Sequence, residues 1–515
     1  MNKTPLNFMY RFCSGAVTVA GTLALVLLSV FALIFRTWIP MNKNEEVYVQ
    51  FQNPFVWLAI LAVIGLLIVL APQIGRIPEH TLFLCLGCLY AVAGCFLIFN
   101  TDPSVRSDAY GVFESALSMN EGRFSSLEPG GYLYIYPHQL GLATFERILM
   151  AFSADITFFF LANLVMMIAI NFIQWKCCQM LFDNGLARRY TILLSFLFLP
   201  GLFSILFVYG LIPGLLFLYI GVYGLISWLY GRGKFAPAAA VFGVGMACLI
   251  RNNYLIGAIA VFIILFMDFL KEVRWKSLIL ALAIVAAALI PGKLLTWGYE
   301  AAAGADLSRG IPKIMWVTMG LQDNEDSSFV GGWFNGYNYN VYMDKDMDSE
   351  TSGEQAKEDL NDRVSELLGD PAKAAVFFGT KAISTWTDPL FQSIWSGPLE
   401  DMGQYTHKGI LKNIYTGQEG YEILMVLCAA ILFIIYGGAV LGIFLRPGGM
   451  KCGLDLKVMF PFLFLVGGFL FHLVWETKSQ YVFPFVMMLI PGASFGLVLF
   501  KERLERLRRK TGGAK

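Results

Sequence analysis

Long apolar stretches separated by short polar connections dominate the chain. About twelve of them are long enough to cross a bilayer as a helix, which takes roughly 20 residues. Their length excludes the weaker, alternating pattern of an outer-membrane β-barrel. The pattern therefore predicts an all-α polytopic membrane protein with about 12 transmembrane helices. The predicted spans lie near residues 12–36, 54–72, 81–99, 152–173, 190–209, 211–230, 235–251, 254–270, 277–295, 422–445, 457–475 and 480–500.

Composition agrees with this pattern. Of the 515 residues, 57% are apolar and only 15% are charged, against about 25% charged residues in a typical soluble protein. A soluble chain of this length has no means of hiding so much apolar surface, so a water-soluble multidomain protein is excluded. The same composition excludes intrinsic disorder.

Lys and Arg residues concentrate in the short loops on one side of the predicted topology. The positive-inside rule places that side in the cytoplasm. The basic tail 501–515 lies there too, so both termini are predicted to be cytoplasmic. The first span has no small-residue cleavage site and is read as a retained helix. The cations of these loops are Arg76, Lys176, Arg188, Arg189, Arg232, Lys234, Lys271, Arg274, Lys276, Arg446 and Lys451.

Two long segments are predicted to face outward, 100–151 and 296–421. The second carries 19 acidic and 9 basic residues, a net charge of −10. The chain is accordingly divided into N-terminal transmembrane helices (1–99), an outer catalytic loop with interface helices (100–151), a transmembrane core (152–295), a large outer loop region (296–421), C-terminal transmembrane helices (422–500) and a basic cytoplasmic tail (501–515).

The outer segment 100–151 is the first candidate for chemistry. A helix starting near Ser107 would place apolar residues at i, i+3 and i+4 spacing, and a second amphipathic helix would begin near Pro137. Both would lie in the membrane interface. Asp108 would then be a partly desolvated carboxylate able to act as a general base. The alternative reading is that Asp108 merely caps the first helix.

Two predicted turns bring further polar residues to the outer side. Glu476, Lys478 and Tyr481 lie in the last turn, and Arg251 lies between the seventh and eighth spans. These cations could meet a lipid phosphate. Equally, the last turn could hold ordinary interfacial and solvated residues, and Arg251 could be an isolated exception to the charge rule.

The outer segment 296–421 contains a Gly/aromatic run and an amphipathic stretch, 373–395. That stretch, interrupted by Lys381 and Asp388-Pro389, is assigned to the outer interface, because a thirteenth span would put the basic tail outside. Clustered Tyr, Trp, Asn and Gly suit sugar stacking. They also suit an ordinary loop packed on a membrane face.

Several functions lack their sequence signals. The nine Cys and four His residues form no metal-ligand spacing, so no metal site is predicted. A Walker A motif is absent, which argues against ATP-driven transport by this chain alone. A nucleic-acid partner is not expected.

Taken together, these residues resemble the polytopic C superfamily (GT-C) of glycosyltransferases, which use polyprenyl-phosphate sugars, and especially the bacterial family 39 of protein-mannosyltransferase and aminoarabinose-transferase relatives. The run SDAYGVFESAL resembles the family's acidic motif, YIYPHQLGL its Tyr-Pro-x-x-x-Gly element, IRNNYLI its mid-chain basic element, and HLVWETKSQYVFPF its terminal element. In the last, Gln480 stands where Arg is usual, which leaves Lys478 as the candidate cation.

The resemblance implies an integral membrane glycosyltransferase of the GT-C type. It would move a sugar from a polyprenyl-phosphate carrier to a cell-envelope glycan, lipid or protein on the outer side of the cell membrane. Asp108 would be the catalytic base, and no cofactor is required, although a divalent cation is compatible with the superfamily. The candidate donor- or acceptor-binding residues are Arg106, Glu128, Tyr136, His138, Gln139, Arg251, Glu476, Lys478 and Tyr481.

Two other classes remain as alternatives. A polysaccharide polymerase or ligase would favour Arg-rich outer loops, whereas the large outer loop here is acidic. A transporter or flippase for lipid-linked glycans would show polar residues or broken helices in the middle of the membrane. The predicted spans are nearly free of charge at mid-helix.

Overall fold

A computed structural model of the chain describes residues 3–323, 330–399 and 409–512, and the fold is almost entirely helical. The helices up to residue 229 are α1 (Lys3–Ile34), α2 (Pro54–Val69), α3 (Ala71–Arg76), α4 (Glu79–Phe99), α5 (Ser107–Asn120), α6 (Tyr132–Ile135), α7 (Leu140–Met150), α8 (Ile156–Leu181), α9 (Gly185–Leu197), α10 (Pro200–Phe203) and α11 (Leu211–Leu229). The helices after residue 229 are α12 (Ala236–Ile250), α13 (Leu255–Glu272), α14 (Trp275–Ala303), α15 (Ile314–Leu321), α16 (Tyr337–Asp344), α17 (Ser349–Gly369), α18 (Pro371–Trp386), α19 (Gly409–Tyr415), α20 (Glu419–Leu445), α21 (Phe460–Val474) and α22 (Phe483–Gly512).

Eight helices in the described residues are long and apolar enough to cross a membrane. The polytopic membrane fold is therefore confirmed. The helices that qualify are α1, α4, α8, α11, α13, α14, α20 and α22. The shorter apolar helices α2, α12 and α21 contain 16, 15 and 15 residues. Each coincides with a predicted span, but a count of twelve requires these three to cross as well and stays a prediction.

The predicted span 190–209 is broken in the structure. Helix α9 ends at Leu197, and the chain turns by 48° before it continues through Pro200–Leu206. Pro200 lies at the start of α10, where its ring and its missing N–H prevent α9 from continuing through it. A broken span is one of the features expected of transporters, so this break keeps the transporter alternative open.

A short β-hairpin connects α1 and α2. Strand β1 (Phe35–Trp38) pairs antiparallel with β2 (Tyr48–Phe51), with Phe35 opposite Phe51 and Trp38 opposite Tyr48. The Thr37 amide donates to the carbonyl of Thr387, 3.3 Å away, beyond the end of α18. The hairpin is thereby attached to the segment 296–421, and its loop lies at the end of the helical bundle that this segment occupies.

The two long segments meet at this end. The Ile311 amide donates to the Ile135 carbonyl at 3.1 Å, and the Thr477 amide donates to the Gly332 carbonyl at 3.0 Å. The segments 100–151 and 296–421 therefore form one polar assembly with the turn at 475–482. We call this end of the bundle the assembly end.

The opposite end collects basic loops, and we call it the basic end. Arg189 donates to the Ile77 carbonyl at 2.7 Å, and Arg188 pairs with Glu79 at 2.7 Å. Lys271 lies 5.4 Å above the Tyr10 ring, and Lys457 lies 4.1 Å above the Tyr230 ring. The separation of basic loops from the long segments matches the predicted topology. Which side of the membrane each end faces stays a prediction.

Candidate functional site

Asp108 lies in the first turn of α5, one residue after the helix begins. The N-cap position belongs to Arg106, whose side chain makes no capping hydrogen bond. Ser107 has a φ of +53°, a left-handed conformation that turns the chain abruptly into the helix. The apolar face predicted for this helix is buried: Val112, Phe113, Ala116 and Met119 all face the core.

The Asp108 carboxyl is accessible from outside, although the surrounding protein removes much of its hydration. This recessed position raises its pKa, while Lys478 and a hydrogen bond from Tyr132 act in the opposite direction. In the described part of the chain, Asp108 forms no ion pair. It is therefore a carboxylate with its acceptor capacity largely open, held next to polar side chains from other elements.

Two tyrosine side chains connect Asp108 with neighbouring elements. Tyr132 interacts with Asp108 on one side and with Tyr209 on the other. The Tyr209 hydroxyl accepts a 2.6 Å hydrogen bond from Nε2 of Gln139. Burial raises the pKa of Tyr132 well above its ordinary value, so this hydroxyl stays protonated at neutral pH. The chain of contacts brings Gln139 into the neighbourhood of Asp108.

Arg251 lies between two aromatic rings at the start of the turn after α12. Its guanidinium carbon is 5.5 Å from the ring of Tyr209 and 5.5 Å from the ring of Tyr481. One of its nitrogens donates to the Tyr209 carbonyl at 2.9 Å. No carboxylate lies within ion-pair distance of Arg251 among the described residues. A half-buried guanidinium with unused donors suits an anionic ligand.

Lys478 is a different kind of cation. Its Nζ lies 2.5 Å from Oε2 of Glu45, in the loop of the β-hairpin, and both side chains are largely buried. Glu45 also accepts a 2.6 Å hydrogen bond from Nε2 of Gln392. This pairing raises the pKa of Lys478 despite its burial, so the residue stays charged. Its charge is already balanced within the protein.

Glu476 lies beside this pair and is only 3% exposed. Burial raises its pKa to about 7, an effect that Lys478 partly offsets. Its Oε1 has no hydrogen-bond partner in the described residues. Glu476 can therefore change its protonation state near neutral pH.

Lys381 holds the backbone that carries these residues. From the middle of α18 it donates to the carbonyls of Gly320, Leu473 and Trp475. The interruption predicted at Lys381 is wrong, because the helix continues through this buried lysine to Trp386. Three carbonyls satisfy the three ammonium donors, while burial lowers the Lys381 pKa to about 7.

Glycines allow the elements of the assembly end to approach closely. A Cβ at Gly320 would lie 2.4 Å from the Glu476 amide nitrogen, so only glycine lets α15 press against the turn that carries Glu476. At Gly141, a Cβ would lie 1.8 Å from the Leu249 carbonyl oxygen. The Gly of the predicted Tyr-Pro-x-x-x-Gly element is therefore the point at which α7 crosses α12.

Other candidate residues line the same region. The ring of His138 meets that of Trp316 edge-on at 5.5 Å, and loss of hydration to the surrounding protein, together with Lys313, lowers the pKa of His138 to about 4. Tyr136 lies 6.0 Å from the His138 ring. Tyr481 stacks on His472 at 5.8 Å. Thus Asp108, Tyr136, His138, Gln139, Arg251, Glu476, Lys478 and Tyr481 come together at the assembly end.

Arg106 and Glu128 are placed differently. Arg106 is buried, donates to the carbonyls of Trp395 and Gly397, and lies 4.1 Å above the Trp395 ring. These contacts attach α5 to the second long segment. Glu128 is exposed beside a short 3₁₀ turn, where its carbonyl accepts from the Gly131 amide.

The sequence reasoning did not identify Glu45, Tyr132, Tyr209 or Lys381. Glu45 and Tyr209 lie in short connections outside the two long segments on which the reasoning concentrated. Tyr132 follows a Pro-Gly-Gly break that offered no chemical signal. A lysine in the middle of an amphipathic apolar stretch was the one usable signal, because buried lysines are rare and need partners.

No group of three or more His, Cys, Asp or Glu side chains in the described ranges could hold a metal ion. The residues of the site therefore supply too few ligands to hold a divalent cation. Comparisons with protein-family models, curated proteins and solved structures found no match to this chain.

Proposed function

We propose that the chain is an integral membrane glycosyltransferase with about twelve spans, of the GT-C type. It would transfer a sugar from a polyprenyl-phosphate carrier to a cell-envelope glycan, lipid or protein at the extracytoplasmic face. The observation that supports this most directly is that a carboxylate and a guanidinium lie in the same site at the assembly end. An accessible carboxylate with a raised pKa, Asp108, shares one site with a guanidinium that has no carboxylate partner, Arg251.

The reaction needs both groups. Asp108 takes the proton from an acceptor hydroxyl while the acceptor oxygen attacks the anomeric carbon of the sugar. The bond from that carbon to the phosphate oxygen breaks, and its electron pair leaves with the polyprenyl phosphate. Direct attack inverts the anomeric centre. Arg251 stabilises the negative charge that grows on the departing phosphate, and Asp108 is then reset by losing its proton to water.

The position of the site also supports a lipid-linked donor. Arg251 lies in the polar turn where the apolar helix α12 ends and the apolar helix α13 begins. A polyprenyl chain would remain among the apolar helices while its phosphate reaches Arg251 and its sugar reaches Asp108. No nucleotide is needed, because the carrier phosphate is the leaving group.

The test compares cells that lack the chain with cells that carry the wild type, Asp108→Asn or Glu114→Gln. Glu114 is an exposed carboxylate on the same helix and serves as the matched control. Mass spectrometry would follow envelope glycans and the pool of polyprenyl-phosphate sugars together. We expect Asp108→Asn to lose a glycan and accumulate its lipid-linked donor, whereas Glu114→Gln behaves like wild type. Identical glycans and donor pools with and without the chain would refute the proposal.

A further inference from the structure

A second polar feature lies at the basic end, away from Asp108. A cavity opens there between α8, α11, α20 and α22, and the loop between α20 and α21 covers part of it. Its walls are apolar apart from two cations of that loop. The residues that line it include Phe182, Phe495, Gly492, Arg446 and Lys457.

The walls favour a hydrocarbon occupant. Phe182 and Phe495 stack with their ring centroids 4.4 Å apart and form one side. At Gly492 nothing lies within 4 Å of the position that a Cβ would take, so this helix surface faces open space. A water molecule needs two to four polar partners to occupy a cavity. Walls of this composition therefore accommodate acyl methylenes better than water.

The two cations favour an anionic group at the mouth. Arg446 donates to the carbonyls of Gly449 and Cys452, but its Nε is buried and has no partner in the described residues. Lys457 rests 4.1 Å above the Tyr230 ring. The nearby Asp455 carboxylate accepts a 3.0 Å hydrogen bond from the backbone amide of Lys457. In the described part of the chain, no ion pair joins Asp455 to Arg446 or Lys457.

The geometry points to a binding site for one anionic membrane phospholipid. An acyl chain would enter between Phe182 and Gly492, and the phosphate would accept hydrogen bonds from Arg446 and Lys457. A lipid phosphate supplies the acceptor that the buried Arg446 Nε lacks. Other basic loops surround this end, and their field would favour an anionic headgroup over a neutral one. This site is separate from the proposed transferase site and does not depend on it.

The experiment measures lipid retained by the purified full-length protein. Phosphatidylglycerol and phosphatidylcholine with identical acyl chains are offered in mixed vesicles, and lipid that remains after detergent extraction is counted by native mass spectrometry. We expect one phosphatidylglycerol per chain, retained at least about ten-fold better than phosphatidylcholine, since each charge-assisted contact contributes roughly a factor of ten or more.

Two variants separate the headgroup from the acyl chain. Lys457→Gln removes one cation without touching a backbone contact of its side chain, and should reduce retained phosphatidylglycerol about ten-fold. Gly492→Leu fills the cavity and should abolish retention of either lipid. Arg503→Gln, in the exposed part of α22, removes an equal charge from the same end of the molecule and should change nothing.

Thermal unfolding in lipid-free detergent checks that each variant is folded. If Gly492→Leu does not fold, Lys457→Gln and Arg503→Gln still decide the headgroup claim. Equal retention of the two lipids by wild type would overturn the proposal. So would undiminished retention in folded Gly492→Leu, or an equal loss in Arg503→Gln and Lys457→Gln.

Discussion

The two walls of the assembly-end site use their charges in opposite ways. On one wall, Asp108 and Arg251 have no ion-pair partner among the described residues, and each keeps hydrogen-bonding capacity unused. On the other wall, Lys478 is paired with Glu45. Two cations that look equivalent in the sequence, each at a turn between apolar helices, thus differ in what they can offer a ligand. The charges of the first wall are free to interact with a ligand, whereas those of the second wall mainly stabilise the fold.

The largest effect should come from the first wall. Asp108→Asn keeps the size of the side chain but removes the proton acceptor, and loss of a general base typically lowers the rate by about 10²–10⁴. The assay is sugar transfer from a purified polyprenyl-phosphate donor at equal amounts of folded protein. Asp102→Asn is measured beside it. Full activity in Asp108→Asn with a dead Asp102→Asn would move the base to Asp102.

Arg251→Ala should weaken donor binding next most strongly. Charge-assisted hydrogen bonds contribute about 1.5–3 kcal/mol, which corresponds to roughly ten- to hundred-fold in the dissociation constant. Binding of polyprenyl phosphate in nanodiscs, measured by calorimetry, tests this expectation. Arg251→Lys keeps the charge but loses the planar fork, so it should recover only part of the affinity. Unchanged affinity in Arg251→Ala would remove this residue from the site.

Lys478→Ala should reduce donor affinity less than Arg251→Ala does, because the Lys478 charge is already balanced by Glu45. The reverse experiment is more telling. Glu45→Gln keeps the hydrogen bonding and frees the cation, so donor affinity should rise by a few-fold if Lys478 faces the phosphate. Lys478→Ala should also lower the melting temperature, since it leaves a largely buried Glu45 without its partner. Equal losses from Lys478→Ala and Arg251→Ala would remove the distinction between the walls.

The smallest effect concerns Glu476 and is seen in stability. Its folded-state pKa of about 7 lies above its ordinary value of 4.5. Between those values the folded protein binds the extra proton, so the contribution of Glu476 to stability is greatest below about pH 4.5 and declines as pH rises toward 7. Glu476→Gln removes the titrating group and should flatten this decline in melting temperature. A wild-type and a variant curve of the same slope between pH 5 and 7 would contradict the assignment.

Local sequence signals predicted part of this arrangement. Apolar runs identified the helices, and i, i+3, i+4 spacing placed α5 and its buried face correctly. Pairing could not be predicted in the same way. Glu45 and Lys478 are 433 positions apart, and Lys381 contacts carbonyls 61 to 94 positions away. Periodicity reports which face of a helix is buried, but it does not report which distant side chain will meet it.

The broken helix α9–α10 shows a different limit. Pro200 was visible in the sequence and marks the break. A hydropathy reading averages over such a residue, because the segments on both sides remain apolar. The β-hairpin was not predicted, because its four-residue strands are too short to show the alternating pattern of a β-strand.

The link between Glu45 and Lys478 has a consequence for how the protein is made. Glu45 and Lys478 are 433 positions apart, so Glu45 leaves the ribosome long before its partner is synthesised. The Glu45 carboxylate therefore stays without its cation until α21, α22 and the turn between them have inserted. Nascent chains that stop before residue 475 would carry Asp108 and Arg251 without the turn that completes their surroundings. Truncated products of this kind would leave Glu45 without its cation and keep apolar surface exposed, which favours aggregation.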